Sequence, residues 1–263
     1  MRVLIRAVGL IGPGLPDWSR SMPVLRGEAA YLPSPVQLAS VEALPPAERR
    51  RTGPPVRLAL STGLQALAGS GLSASEVVTV FTSSGGDGQV IHAICEALAA
   101  DQRDVSPTRF HNSVHNAPAG YWGIATRSHA ASTSLCAFDW SFAAGLLEAC
   151  AQASTATQPV LLISYDVPNP PPLQQVRPLH DMLGIALVLG EPGKGQGLAR
   201  LEVELNPQAQ NPTRMGNAEL EKLRSGNPTG RALPLLEALA AGTAREITLD
   251  YLDATLVLRT LAG

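Results

Sequence analysis

The chain has 263 residues, enough for one large domain or two small ones. Hydrophobic residues make up 45% and charged residues 16%, a globular composition with a substantial core rather than that of a disordered chain. A formal net charge of −2 and an aromatic content of 4% leave neither a basic field nor a stacking surface for nucleic acid.

The apolar N-terminus is short and interrupted by Arg6, which disfavours a signal peptide. It reads as a buried strand over 3–11, stopped at Gly12-Pro13-Gly14. No apolar run reaches the roughly 18 residues of a membrane-spanning helix, so stable membrane insertion is not expected. Residues 13–55 are rich in Pro and Gly and read as irregular surface structure, with Arg49-Arg50-Arg51 as a solvated turn within it. Leu60, Leu64 and Leu67 recur at helical spacing, predicting a helix over 56–68 that ends at Gly69 and Gly71. The β-branched run 77–82 predicts a buried strand. A glycine-rich bend, 83–88, then leads into a helix over 90–99. The bend carries neither a Walker lysine nor the G-x-G-x-x-G spacing, so a nucleotide is not its expected ligand.

Residues 105–131 are polar and aromatic, with His111, His115 and His129. A strand over 131–135 runs into Cys136, and a helix follows over 138–153, with Phe138, Phe142, Gly145 and Ala149 on one face. The next strand is 159–165, followed by the stiff loop Asn169-Pro170-Pro171-Pro172. Segments 185–189 and 201–205 read as paired strands across a glycine-rich turn, 190–197. Beyond the polar stretch 206–230, a short helix over 232–240 precedes a final strand over 247–252. Alternating strands and helices predict an α/β fold, a sheet with helices against its faces and no internal duplication. Cys95, Cys136 and Cys150 neither pair off nor show metal spacing, which points to a reducing, cytoplasmic setting.

Several segments resemble, in order, the β-ketoacyl synthase-like N-terminal family of the thiolase-like condensing enzymes. Arg57-Leu58-Ala59-Leu60 with Ala66-Leu67 resembles the first helix, and Phe81-Thr82-Ser83-Ser84-Gly85-Gly86-Asp87-Gly88 the turn after the second strand. Phe110-His111-Asn112-Ser113-Val114-His115-Asn116-Ala117-Pro118-Ala119-Gly120-Tyr121-Trp122 is the most specific segment. Phe142-Ala143-Ala144-Gly145-Leu146-Leu147-Glu148-Ala149 resembles the helix after the nucleophile turn, and Gly184-Ile185-Ala186-Leu187-Val188-Leu189 the small-residue strand that follows. The resemblance covers residues 1–205 and implies a single thiolase-like unit, a mixed sheet with helices on its faces, like the N-terminal half of a β-ketoacyl synthase. Residues 206–263 are expected to be a poorly matched extension of that one domain. The implied setting is fatty-acid or polyketide assembly of the aryl-polyene type on an acyl carrier protein. There the chain is expected to pair with a full-length ketosynthase, or with itself, as a chain-length-factor-like partner. On this reading the arginines 49–51 offer a docking point for an acidic carrier protein. No cofactor and no metal are expected.

A condensing enzyme needs a thiolate, imidazoles and oxyanion donors. Cys136 lies where a nucleophile is expected, after a strand and at a helix start, and an acyltransferase or thioesterase-like enzyme using it as acyl acceptor is the alternative reading. Against this, Ala137-Phe138-Asp139-Trp140 is a bulky, acidic turn, with Asp139 expected to cap the helix. The family's two catalytic histidines belong to the missing second half, and after Cys136 this chain has only His180. His111 and His115 would share a face if helical, with a hydrogen-bonded interface role the simplest reading beside metal binding. Asn116 belongs to the same segment, and the resemblance implies tunnel or interface roles for it and for Trp122, Phe138, Trp140 and Phe142.

Overall fold

A computed structural model describes residues 1–155, 158–193 and 195–262. Strands β1 (Arg2–Ile11), β2 (Val78–Thr82), β3 (Ser132–Leu135), β4 (Val160–Asp166), β5 (Leu183–Gly190), β6 (Ala199–Asn206), β7 (Arg245–Tyr251) and β8 (Ala254–Ala262) form one sheet. Its order is β3-β2-β4-β5-β1-β6-β8-β7. β3, β2 and β4 run parallel, and the remaining neighbours are antiparallel. β4 and β5 are buried at every position, as continuous apolar runs covered on both faces must be.

Helices lie on both faces: α1 (Trp18–Leu25), α2 (Pro46–Arg49), α3 (Pro54–Ser70), α4 (Gly88–Ala99), α5 (Pro107–Asn112), α6 (Ala117–Thr126), α7 (Ser141–Thr155), α8 (Pro171–Val176), α9 (Ala218–Gly226) and α10 (Leu233–Ala241). α3 and α6 pack on one face around Leu58, Leu60, Phe81, Trp122 and Ile163. α7 and α10 pack on the other, around Leu10, Phe142, Leu146, Leu162 and Leu236. α3 ends on Gly71, in the left-handed conformation at φ +69°, whereas Gly69 lies inside the helix. Gly9 of β1 lets α3 approach closely, because a Cβ there would collide with the backbone carbonyl oxygen of Thr62.

Several elements depart from the sequence expectation. Segments 183–190 and 199–206 are not paired; β1 lies between them and bonds to both. The turn expected between them includes position 194, which lies outside the described residues. β1 also absorbs Arg6 as an extra residue, since the register with β5 shifts between Ile5 and Ala7. The strand at 245–251 is not the last; it forms a hairpin with β8 through Leu252 and Asp253, Leu252 taking φ +55°. The Asn169–Pro172 loop runs straight into α8. The polar stretch 206–230, for which no element is predicted, holds α9 and the start of a short 3₁₀ turn, Pro228–Ala232.

Gly9→Ala is expected to lower the unfolding free energy by roughly 1–3 kcal/mol in urea denaturation, because the backbone of α3 cannot yield to the new methyl group. Gly120→Ala, on the surface of α6 with nothing within 4 Å of the new atom, is expected to stabilise by about 0.5–1 kcal/mol.

Candidate functional site

The three parallel strands end at Thr82, Leu135 and Asp166, and the loops that follow them converge. Open α/β sheets place ligands at such C-terminal ends. At the centre lies the turn Ser83–Ser84. Cys136 sits directly after β3, is exposed, and its Sγ donates to the Ser84 carbonyl oxygen at 3.3 Å. His115 Nε2 lies 3.3 Å from both the Oγ and the carbonyl oxygen of Ser83. Ser141 Oγ donates to Phe138 O at 2.7 Å, accepts from the Ala137 amide at 3.0 Å, and reaches Ser83 O at 3.3 Å.

Asp166 fastens this turn to the C-terminal part of the chain. Its Oδ1 accepts from the Ser84 amide at 2.8 Å and the Ser84 hydroxyl at 2.7 Å. Its Oδ2 accepts from the Thr229 hydroxyl at 2.9 Å and the Thr229 amide at 3.2 Å. Burial pushes the Asp166 carboxyl above the usual carboxylate range, with the four donors opposing that shift. Neither Asp166 nor Thr229 was singled out as a site residue from sequence. The one available signal is an acidic residue closing an otherwise apolar strand.

The expected helix start at Cys136 is displaced. Phe138 takes φ +53°, a 3₁₀ turn fills Phe138–Trp140, and α7 begins only at Ser141. The thiol therefore does not sit on a helix N-terminus. Asp139 does not cap α7; it pairs with Arg177 Nη2 at 2.9 Å, while the Arg177 guanidinium stacks over Phe138, 3.5 Å from the ring centroid. Among the described residues no imidazole is hydrogen-bonded to Cys136, and the Ser84 carbonyl accepts from a thiol but offers a thiolate nothing. His180 lines a different cavity, with Tyr31 and Asp181.

His111 and His115 do not share a helix face, because α5 ends at Asn112. His111 is exposed and meets the Tyr121 ring edge-on at 6.2 Å, whereas His115 joins the Ser83 turn. Asn116 is exposed and stands at the N-cap of α6 without a capping side-chain bond. The four aromatic residues are not assembled into one lining. Trp122 is core on the α3 face, edge-on to Phe81 at 6.3 Å, and Phe142 is core on the α7 face. Trp140 is half-buried, and Phe138 is 53% exposed. Arg49 and Arg51, within the basic cluster, pair with Glu42 and Glu48.

Comparison with known structures places this arrangement. The chain superposes on a chain of the ketosynthase ApeO–chain length factor ApeC complex from Xenorhabdus doucetiae with a TM-score of 0.75 and 21% identity, covering 98% of this chain and 99% of that one. A chain of the ishigamide ketosynthase/chain length factor gives 0.72 at 13% identity, covering 100% and 99%. The ketosynthase from module 6 of the bacillaene synthase of Bacillus subtilis 168 gives 0.56 at 11% identity, covering 86% of this chain but only 45% of that one. A search of curated proteins finds no significant match. The fold is therefore thiolase-like, a mixed α/β sheet with helices on both faces. The chain belongs to the β-ketoacyl synthase N-terminal domain family, whose model matches residues 23–247. That match runs past residue 205, to which the resemblance read from the sequence extends.

Two outcomes test this geometry. Asp166→Ala is expected to cost about 2–4 kcal/mol in urea denaturation, because it leaves the buried Ser84 amide and hydroxyl without their acceptor and takes from the Thr229 amide one of its two, Asn227 Oδ1 being the other. Alkylation of the native protein is expected to label Cys95 and Cys136 but not Cys150, whose thiol is fully buried and pushed up to about 12 by desolvation. Peptide mapping reads the pattern, and native-state labelling of Cys150 would contradict the packing of α7.

Proposed function

We propose that this chain is a non-condensing, chain-length-factor-like partner of a full-length ketosynthase in fatty-acid or polyketide assembly of the aryl-polyene type, acting on chains carried by an acyl carrier protein. The observation that carries this reading is an apolar face left uncovered beside an open sheet edge.

α4 is twelve residues long and apolar, yet none of its residues is buried. Ile91 and Leu98, one face of it, are 44% and 52% exposed. Phe110, Val114 and Ile124 of the neighbouring α5–α6 region are exposed as well and line an apolar groove of about 490 Å³. Exposed apolar clusters of this kind mark interaction surfaces. The strand on this side, β3, pairs only with β2 among the described residues. At the opposite edge, the segment before α9 covers β7: Thr213 donates its amide to Thr248 O and accepts from the Thr248 amide, both at 2.9 Å. Unprotected edges invite pairing with another chain, and here only one of the two is protected.

The partner role also agrees with the chemistry. Among the described residues no base is oriented on Cys136, and the chain spans 45% of the length of the bacillaene ketosynthase it matches. The near-complete overlap with chains of ketosynthase–chain length factor complexes supports the same role. No helix among the described residues is long and apolar enough to cross a membrane.

Co-expression with a full ketosynthase from the same source is expected to give a stable complex. Ile91→Glu combined with Leu98→Glu is expected to reduce its recovery at least tenfold while shifting the melting temperature of the isolated chain little. A chain that elutes as a monomer beside the ketosynthase, at concentrations where each is folded, would contradict the proposal.

A further inference from the structure

We propose that Arg177 and Arg231 form a binding site for a small oxyanion of the phosphate class, in a cavity of about 240 Å³ beside the turn that follows Cys136. The cavity is lined by Phe138 and Asp139 of that turn, by Arg177 after α8, and by Ser225, Pro228 and Arg231 around the end of α9. This inference does not depend on the partner reading.

Two guanidinium groups line one small cavity, and neither has its donors filled by the chain. The Arg231 side chain makes no hydrogen bond and no ion pair among the described residues, and its Nε is shut away from water. Arg177 bonds Asp139 through Nη2, while its Nη1 is buried and equally without an acceptor. A guanidinium carries five donors and cannot shed its charge; Arg231 Nε and Arg177 Nη1 are closed to any guest, so a ligand in the cavity meets Arg231 through its two Nη groups. An oxyanion provides the acceptors and the negative charge that the chain does not.

The geometry is also fixed in advance. Stacking on Phe138 and the ion pair with Asp139 clamp the plane of Arg177, so little side-chain freedom remains to be lost on binding. Asp139 is the one carboxylate among the described residues that line the cavity, and Arg177 already engages it. Two cations against one anion leave a net positive site. Drug-sized ligands occupy cavities of about 300–1,000 Å³, so this one admits a free anion or only the phosphate end of a larger molecule. Phosphate suits forked guanidinium donors because its oxygens accept two parallel bonds at once.

The test is isothermal titration of the full chain with inorganic phosphate and, separately, with coenzyme A as a phosphate ester. Saturable binding of either, weakened at least tenfold in Arg231→Gln and less in Arg231→Lys, which keeps the charge but loses the fork, is the expected result. Arg50→Gln, at an exposed arginine away from the cavity, is expected to bind as the native chain does. Tighter binding of coenzyme A than of phosphate assigns the site to an esterified ligand, and the reverse assigns it to the free anion. No binding of either probe to the native chain, or equal binding by native and Arg231→Gln proteins with native melting temperatures, overturns the site. Should Arg231→Gln fail to fold, the Arg231→Lys and native titrations still decide, since absence of binding to both is the contrary result.

Discussion

The buried Asp166 carboxylate ties together parts of the chain that are far apart in sequence. Its two oxygens take four hydrogen bonds, two from the Ser84 turn after β2 and two from Thr229 before α10. Ser84 is 82 residues away and Thr229 is 63, so the contact closes long loops in both directions. A carboxyl group carried into a dry site holds its place only while every donor is present. The convergence of the three parallel strands therefore depends on the C-terminal segment being docked. The Ser83–Ser84 turn so fixed then receives His115, Cys136 and Ser141.

The surroundings of Cys136 give that site its character. Its thiol points at a carbonyl, the helix begins five residues later at Ser141, and the intervening turn is committed to an Arg177–Phe138–Asp139 cluster. That turn is held by an ion pair and a stacked guanidinium, and among the described residues no imidazole is hydrogen-bonded to the thiol. The other distinctive feature lies on the surface, where among the described residues α4 and the outer edge of β3 have no cover while the β7 edge is closed. Both features favour a protein whose work is done against a partner.

Much of the architecture was legible because apolar runs and period are local properties. β4 and β5 announce themselves as buried runs, and α3 as a periodic helix closed by Gly71. Pairing is not local. β5 and β6 are consecutive in sequence, yet β1 comes between them from the far end of the chain. β8 was missed because its hairpin turn, Leu252-Asp253, has neither glycine nor asparagine although Leu252 takes φ +55°. For the site, sequence singled out Cys136 and His115, which do meet at one turn. It separated neither from the core residues Trp122 and Phe142, since burial depends on packing that a linear pattern cannot show. The Asp166–Thr229 contact and the Arg177–Arg231 cavity lie between segments with no shared signal.

The most direct measurement of the chain's role is the product profile of a reconstituted pair, with a full ketosynthase, carrier protein and extender present and Cys136 replaced by alanine in this chain. Unchanged product yield and length, with loss of defined product when this chain is omitted, is the result expected of a non-condensing partner. Abolition of product by Cys136→Ala in a correctly assembled pair would contradict it and make this chain the acyl acceptor.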